Sequence, residues 1–280
     1  MDKLMSIKMF ARVSLSAALC VALTPLAAFS GTEMSAAERP SDRLSLKGKD
    51  GRLWWRELYE EQLDCIRKSN GRFDFVLIGD SITSNWRRKD GKSYFGGTRR
   101  IGKNVADEFF SGYKWLNAGI GGDGTPQVLW RCLNGILDGY EAKIISLMVG
   151  TNNRRESAED VALGIKRIVE TIRKKQPKAK ILLSPILPRF AREDDPGDMN
   201  AKNEKTNKII QGYCDGSKII WFDWREGLYK NGILDKTFWY DREHPAEGGY
   251  RLWAKALLPY ISSSPASVSL AAPLDSTEEK

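Results

Sequence analysis

Four short segments of the sequence carry the residue types that acyl transfer needs. They are Gly79-Asp80-Ser81, the glycine-rich run 119–125, Gly150-Thr151-Asn152 and Asp241-Arg242-Glu243-His244. A serine hydroxyl such as that of Ser81 is a weak nucleophile until a base takes its proton. His244 is the only histidine in the chain, so no other imidazole can be that base. Asp241 lies three residues earlier, where its carboxylate can hold the imidazole in the required tautomer.

The tetrahedral intermediate of acyl transfer also needs hydrogen-bond donors, and one such donor contributes roughly 3–4 kcal/mol. We expect three donors here: the backbone N–H of Ser81, the backbone N–H of Gly122 and the side-chain amide of Asn152. Gly122 has no side chain that would block the approach of a substrate to its backbone. Asp80 and Asn153 are expected to be structural and to bond local backbone groups.

Each of these residues also has a structural interpretation. A lone histidine is more often a surface residue, and Asn152 can simply close a turn after a strand. Gly121-Gly122 can form a turn or a phosphate-binding loop, although neither a Walker pattern nor Gly-x-Gly-x-x-Gly is present. One shared site accounts for all four segments, whereas the structural interpretation needs four coincidences.

Apolar runs and helical stripes alternate along the chain and predict the elements that position these segments. The predicted strands are 73–78, 115–118, 143–149, 181–183 and 218–222, and the predicted helices are 53–69, 126–137, 158–176, 202–213 and 248–261. Such alternation is typical of βαβ units with right-handed crossovers. We predict an α/β fold, a three-layer α/β/α sandwich around a flavodoxin-like five-stranded parallel sheet in the order 2-1-3-4-5. The ligand cleft should then open between the first and third strands, where three of the four segments follow strand ends.

Two finer expectations concern the first half of the chain. Trp55, Tyr59, Leu63 and Ile66 recur at helical spacing and predict the buried face of the first helix. Gln62 should then lie on or beside the solvated face. Between Ser81 and the second strand the sequence indicates only a long polar connection.

The ends of the chain differ in composition from its middle. Residues 1–30 have the pattern of a secretory signal peptide, with a basic start, an apolar run and cleavage near Ser30. The alternative is a membrane anchor, but Pro25 and the short apolar run argue against stable membrane insertion. We therefore predict a secreted or periplasmic protein. Residues 31–50 are expected to form a loose lead-in, 51–262 the folded domain and 263–280 a disordered tail.

Composition limits the classes of partner. The 280 residues are 41% hydrophobic and 29% charged, which is ordinary for a globular protein. The formal charge of +8 comes without an aromatic-interleaved basic stripe, so we expect no nucleic-acid partner. No metal-ligand spacing is visible, so we expect no metal and no cofactor. Cys65, Cys132 and Cys214 do not suggest a disulfide scaffold, although any one pair of them can form a bridge in an oxidising compartment.

Together the four segments resemble the SGNH (GDSL-type) hydrolases, named for the Ser, Gly, Asn and His of their four sequence blocks. Run 117–131 and Leu187-Pro188-Arg189 resemble more specifically the catalytic subunits of platelet-activating-factor acetylhydrolase Ib and related bacterial esterases. The resemblance extends from about residue 54 to residue 260. It implies a Ser81–His244–Asp241 triad, an oxyanion hole of Ser81, Gly122 and Asn152, no metal, and possible homodimers.

These observations predict a secreted serine esterase that hydrolyses short-acyl, above all acetyl, esters of small molecules or glycans. The loops expected around Ser81, residues 86–90 and 192–195, are mostly charged and offer no groove for a long acyl chain. One alternative is a lysophospholipase or lipase, which would need an apolar rim or lid. The other is a non-catalytic carbohydrate-binding relative, which the complete set of candidate residues argues against.

Overall fold

The computed structural model describes residues 34–262, which belong to one compact unit. The expected signal peptide, residues 1–30, and the expected tail, residues 263–280, lie outside the described residues. Within residues 34–262, no helix is both long enough and apolar enough to cross a membrane.

Five parallel strands form the central sheet. They are β1 (Arg72–Gly79), β2 (Trp115–Gly119), β3 (Glu141–Met148), β4 (Lys180–Leu183) and β5 (Ile219–Trp221). Their order is β2-β1-β3-β4-β5, which confirms the predicted order 2-1-3-4-5. Gly79, the last residue of β1, pairs with Gly119 of β2 on one side and Met148 of β3 on the other. The carboxyl ends of these three strands therefore lie side by side.

Helices cover both faces of the sheet, and the three-layer prediction is confirmed. They are α1 (Trp54–Arg67), α2 (Ser81–Ser84), α3 (Gly102–Phe110), α4 (Thr125–Leu133), α5 (Ala158–Lys175), α6 (Met199–Gln211) and α7 (Glu247–Ser262). Successive side chains of a strand point to opposite faces. Val76 and Ile78 accordingly pack in the core under α1, α4 and α5, whereas Phe75 and Leu77 pack in the core under α3 and α7.

The long polar connection expected after Ser81 contains two elements that the sequence pattern did not show. One is a short hairpin in which Asp90–Lys92 pairs with Thr98–Arg100. The other is α3, whose buried face consists of Val105, Ala106 and Phe110 and packs on the α7 side of the sheet. Phe109 is the one other large apolar residue of α3, and the helix is only nine residues long, so its apolar stripe is too short to stand out in the sequence.

The buried face of α1 is the expected one, but the placement of Gln62 was wrong. Trp55, Tyr59 and Ile66 are buried, with Leu63 partly buried beside them. Gln62 is buried too, and its amide donates a hydrogen bond of 3.1 Å to the carbonyl of Gly119. A polar side chain can be buried when its hydrogen bonds are made inside the protein, and its partner here is 57 residues away.

The described part of the expected lead-in, residues 34–50, makes several contacts with the rest of the domain. A turn of 3₁₀ helix, Ala36–Glu38, places Ala37 in a fully buried position. The hydroxyl of Thr125 donates a 2.7 Å hydrogen bond to the Ala37 carbonyl, and Glu38 forms a 2.9 Å ion pair with Arg167 of α5. This segment therefore runs across the start of α4 on its way to α1.

Candidate active site

The candidate nucleophile, Ser81, sits at the turn between β1 and α2. Asp80 precedes the helix, and its carboxylate accepts a 2.9 Å hydrogen bond from the N–H of Ile82. The turn is tight, because a Cβ at Gly79 would lie 2.2 Å from the Thr83 hydroxyl and 2.3 Å from the Met148 carbonyl. The expected structural role of Asp80 is confirmed. Burial raises the pKa of this carboxyl to about 7.

His244 and Asp241 meet Ser81 in one continuous line of contacts. The Nε2 atom of His244 lies 2.7 Å from the Ser81 hydroxyl oxygen, across 163 residues of sequence. The Nδ1 atom of the same ring lies 2.8 Å from Oδ2 of Asp241. Asp241 also accepts backbone hydrogen bonds from Glu243 and His244, at 2.8 Å and 2.7 Å, which fix the carboxylate in the loop before α7.

Charges around the imidazole favour its protonated form. Burial of the ring opposes that form, but the hydrogen bond and charge of Asp241, together with the charges of Glu243 and Asp80, raise the pKa of His244 above 6.5. For Asp241, burial acts to raise the pKa of the carboxyl. The contact with His244 and the two backbone N–H groups outweigh burial and lower that pKa below its usual 3.8. The pair is thus built to accept a proton on the imidazole while the carboxylate stays ionised.

The glycine-rich loop forms a turn beside Ser81. The N–H of Asp123 donates to the carbonyl of Ile120 over 3.4 Å, and Gly122 has a φ of +75°, as the third residue of a type II turn has. A Cβ at Gly121 would lie 3.9 Å from the Cβ of Ser81, so the loop and the nucleophile are neighbours. The Gly121-Gly122 turn is therefore a neighbour of the candidate nucleophile.

Asn152 follows β3 and reaches the same loop. Its amide nitrogen donates a 3.0 Å hydrogen bond to the carbonyl of Asp123. A side-chain amide has two N–H donors, so this contact leaves the second one for a ligand. The next residue, Asn153, is structural as expected, but its partner Thr125 is distant in sequence: Asn153 accepts from the Thr125 N–H and donates to the Thr125 hydroxyl.

A buried ion pair lies beneath the loop. Asp123 and Arg131 are both fully buried, and the Arg131 guanidinium is 2.9–3.0 Å from Oδ2 of Asp123. Arg131 also donates to the carbonyls of Ala118 (2.7 Å) and Gly79 (3.0 Å), while Trp55 donates its indole N–H to Asp123 (2.7 Å). The network joins β1, β2, the loop and α1. Sequence reasoning missed it, although Arg131 lies three residues after Val128 on the buried side of α4, which was a usable signal.

A cavity of about 510 Å³ opens beside His244 and Asp241. Its other walls carry mostly charged side chains, namely Arg192, Glu193, Asp194, Arg242 and Glu243, with Tyr94 as the only aromatic. The Tyr94 ring is 58% exposed, and the Arg242 guanidinium stacks over it at 4.5 Å. Within residues 34–262, no three His, Cys, Asp or Glu side chains are grouped as a metal site. Cys65, Cys132 and Cys214 are free thiols.

Residues 77–252 match the model of the GDSL-like lipase/acylhydrolase family. The chain belongs to this family. Subunit alpha1 of platelet-activating factor acetylhydrolase IB from Homo sapiens is 37% identical over 227 residues, which cover 80% of this chain and 89% of that relative. Subunit alpha2 from Bos taurus is 33% identical over 197 residues, covering 70% and 77%.

Solved structures support the same fold. A GDSL-like lipase from Bacteroides thetaiotaomicron has a TM-score of 0.56 at 20% identity, covering 74% of this chain and 96% of its own. An acetylxylan esterase from Geobacillus stearothermophilus has a TM-score of 0.50 at 18% identity, covering 70% and 97%. The resemblance seen in the sequence is confirmed, and the protein is a carboxylic ester hydrolase of the GDSL family.

Proposed function

We propose that this GDSL hydrolase is a serine esterase that uses Ser81, His244 and Asp241 as a catalytic triad. The observation that carries the proposal is the unbroken line of contacts from the Ser81 hydroxyl to His244 Nε2 (2.7 Å) and from His244 Nδ1 to Asp241 (2.8 Å). This is the relation between nucleophile, base and orienting carboxylate that acyl transfer needs.

The chemistry has two half-reactions. His244 takes the hydroxyl proton as Ser81 Oγ attacks the carbonyl carbon, and the resulting imidazolium then protonates the departing alcohol oxygen. Water, activated by the same imidazole, hydrolyses the acyl-enzyme and restores Ser81. In both steps the oxyanion of the tetrahedral intermediate would accept hydrogen bonds from the backbone N–H groups of Ser81 and Gly122 and from the side-chain amide of Asn152.

We propose short acyl groups, acetyl above all, as the part of the substrate that is transferred. A longer chain gains roughly 0.8 kcal/mol per buried CH₂ only where an apolar groove receives it. The cavity beside His244 has a single large apolar side chain, Tyr94, in its lining. The relatives named as acetylhydrolase subunits agree with this choice. A lipase-type substrate would need a groove of several large apolar side chains, and Tyr94 is the one such side chain in this lining.

For the alcohol part of the substrate we propose a neutral, hydroxyl-rich group such as a sugar of a glycan. The cavity walls hold two guanidinium groups, Arg192 and Arg242, but the carboxylates of Asp241, Glu193, Asp194 and Glu243 outnumber them. Hydroxyls can donate hydrogen bonds to the carboxylates and accept them from the guanidinium groups, so both kinds of group in the lining can hold a sugar. The neighbour named as an acetylxylan esterase suits this assignment.

Secretion is also part of the proposal, because residues 1–30 have the signal-peptide pattern. N-terminal sequencing of the protein recovered from the periplasm or the medium checks it. A mature chain that begins near residue 31 is expected, and an uncleaved Met1 in the cytoplasm would contradict it.

The test of the esterase is a p-nitrophenyl ester series from acetate to decanoate, run on wild type, Ser81→Ala and the control Ser84→Ala. Ser84 lies in the same short helix, and its hydroxyl accepts a 3.3 Å hydrogen bond from Arg87. Ser81→Ala should lose several orders of magnitude in kcat and all labelling by a fluorophosphonate, while Ser84→Ala keeps both. Turnover by Ser81→Ala near the wild-type rate refutes the nucleophile. A maximum of kcat/KM at octanoate or beyond refutes the short-acyl assignment.

A further inference from the structure

The loop that carries Asp241 and His244 turns back on itself and brings Tyr240 against the imidazole. The Tyr240 N–H donates a 3.1 Å hydrogen bond to the carbonyl of His244, and Trp239 pairs with Pro245 in an antiparallel bridge beside it. Residues that face each other across such a pairing have neighbouring side chains. The rings of Tyr240 and His244 are accordingly stacked, with 5.5 Å between their centroids and 21° between their planes.

This contact differs from the two that join the imidazole to Asp241 and Ser81. Those residues meet the ring nitrogens, which lie at the edge of the imidazole, at 2.8 Å and 2.7 Å. The Tyr240 ring is stacked against the flat side instead. The centroid separation lies within the range of about 4.5–7 Å that is favourable for offset aromatic rings. Tyr240 therefore contacts the candidate base without competing for either nitrogen.

Hydrogen bonds from the connection after α2 hold Tyr240 in place. Its carbonyl accepts 2.8 Å bonds from the Ser93 hydroxyl and from the Tyr94 N–H. Its hydroxyl accepts bonds from the Arg88 guanidinium at 3.2 Å and from the Asn85 amide at 3.4 Å. Tyr240 is also only 6% exposed. The ring that faces the imidazole is thus anchored through both its backbone and its hydroxyl.

The imidazole needs such a support because the χ2 torsion of histidine is broad and lets the ring rotate. In the free enzyme the bonds to Asp241 and Ser81 both oppose that rotation. Acylation removes the hydroxyl proton of Ser81, so Ser81 no longer donates to Nε2 in the acyl-enzyme. The imidazole must keep its plane at this stage as well, because it then activates the water that releases the acyl group.

We propose that Tyr240 is a positioning residue that fixes the plane of the His244 imidazole in both half-reactions. The proposal rests on the proposed esterase function and deepens it, because it adds to the triad a residue that orients the base. Tyr240 acts through His244 and not on the substrate. It is not among the described residues that line the 510 Å³ cavity, so substrate binding should not depend on it.

The experiment compares Tyr240→Leu, Tyr240→Phe and the control Tyr140→Leu in the full chain, with p-nitrophenyl acetate as substrate. Tyr140 is a matched residue, because it is 7% exposed, packs edge-on against Phe73 at 5.0 Å and donates a 2.8 Å hydrogen bond to the Ile136 carbonyl. It directly precedes β3, at the opposite end of that strand from the site. Its replacement therefore tests the general cost of losing a buried tyrosine.

We expect Tyr240→Leu to lower kcat about tenfold, since a general base contributes about 10²- to 10⁴-fold and a poorly oriented one loses part of that. KM should stay within about twofold. Tyr240→Phe keeps the ring and both backbone bonds and should recover most of the lost kcat. Tyr140→Leu should keep the wild-type kcat. Each rate is divided by the concentration of enzyme that a fluorophosphonate labels to completion, so that unfolded protein is not counted.

Nuclear magnetic resonance tests the contact itself, even if Tyr240→Leu does not fold. His244 is the only histidine, so in a chain without added histidines the imidazole signals belong to this residue. Wild type should show a nuclear Overhauser effect between the imidazole protons and the Tyr240 ring protons, which Tyr240→Phe identifies. Its absence would overturn the proposal, because the rings would then not be stacked.

The kinetic outcomes distinguish this inference from the function on which it rests. If wild type hydrolyses no ester, or Ser81→Ala remains active, the proposed function fails and the inference fails with it. If wild type is active and Ser81→Ala is not, but Tyr240→Leu matches Tyr140→Leu in kcat, the function stands and the role of Tyr240 is refuted. A loss as large in Tyr240→Phe as in Tyr240→Leu would also refute it, because the hydroxyl and not the stacked ring would then be responsible. So would an effect confined to KM.

Discussion

The buried ion pair under the glycine-rich loop gives the sharpest stability prediction. In Arg131→Met the guanidinium is lost, and Asp123 remains fully buried with the indole N–H of Trp55 as its closest remaining partner. Two carbonyls, of Ala118 and Gly79, lose donors as well. Removing one partner of a buried ion pair typically costs about 3–5 kcal/mol, because an uncompensated charge stays in the interior. We expect a loss of this size in the free energy of unfolding.

The assay is urea unfolding of wild type, Arg131→Met, Asp123→Asn and the double variant, followed by tryptophan fluorescence. The matched control is Arg251→Met, which breaks the 2.7 Å ion pair with Glu108 between side chains that are 34% and 53% exposed. Exposed pairs contribute about 0–1 kcal/mol, so this variant should be nearly as stable as wild type. The double variant should cost less than the sum of the two single ones, because it leaves no buried charge unpaired.

Two outcomes would refute this role of the Asp123–Arg131 ion pair. If Arg131→Met costs no more than Arg251→Met, the buried pair does not hold the loop. If the costs of Arg131→Met and Asp123→Asn simply add, the two groups do not interact as the 2.9 Å contact requires.

The remaining predictions concern catalysis and pH. Asn152→Ala should lower kcat by about 10²- to 10³-fold in ester assays with little change in KM, and an effect confined to KM would make Asn152 a substrate-binding residue instead. The rate should rise with pH as His244 loses its proton, and the midpoint should lie above pH 6.5 because the pKa of His244 is raised. Asp241→Asn should lower that midpoint. A flat pH–rate profile would contradict the role of His244. The pKa of Asp80 is about 7 in the folded protein, whereas its ordinary value is 3.8. Between pH 3.8 and pH 7 the carboxyl loses its proton in the unfolded chain but keeps it in the folded protein. The free energy of unfolding should therefore fall as the pH rises through this range, by at most about 4 kcal/mol. Asp80→Asn should remove this slope in urea titrations at several pH values, and an unchanged slope would contradict the raised pKa of this buried carboxyl.

The sequence by itself determined the layout of the protein and where to look for the site. Strand runs alternating with helical stripes fixed the sheet order, because βαβ units allow few arrangements. Ser81, Gly122 and Asn152 could be singled out as candidates because parallel strands bring the residues after their carboxyl ends to one edge. His244 was found because the chain holds no second histidine. Each of these signals can be read from the sequence without knowledge of tertiary contacts: the end of a strand, the apolar stripe of a helix, or the number of residues of one type.

The tertiary structure alone decided which polar side chains would be buried, and with what partners. The prediction for Gln62 was wrong because its hydrogen-bond partner, the Gly119 carbonyl, is 57 residues away in sequence. The apolar pattern of a helix contains no information about such a partner. Arg131 lies on the buried side of α4, but only the fold shows that Asp123 is its ionic partner there. Arg43 lies in residues 31–50, which were expected to form a loose lead-in, yet its guanidinium donates a hydrogen bond to the Gly122 carbonyl, 79 residues away. The physical reason is the same for Gln62 and Arg131: a buried polar group is stable only where the fold supplies its partners. The Gly119 carbonyl lies 57 residues from Gln62 and the Gly79 carbonyl lies 52 residues from Arg131.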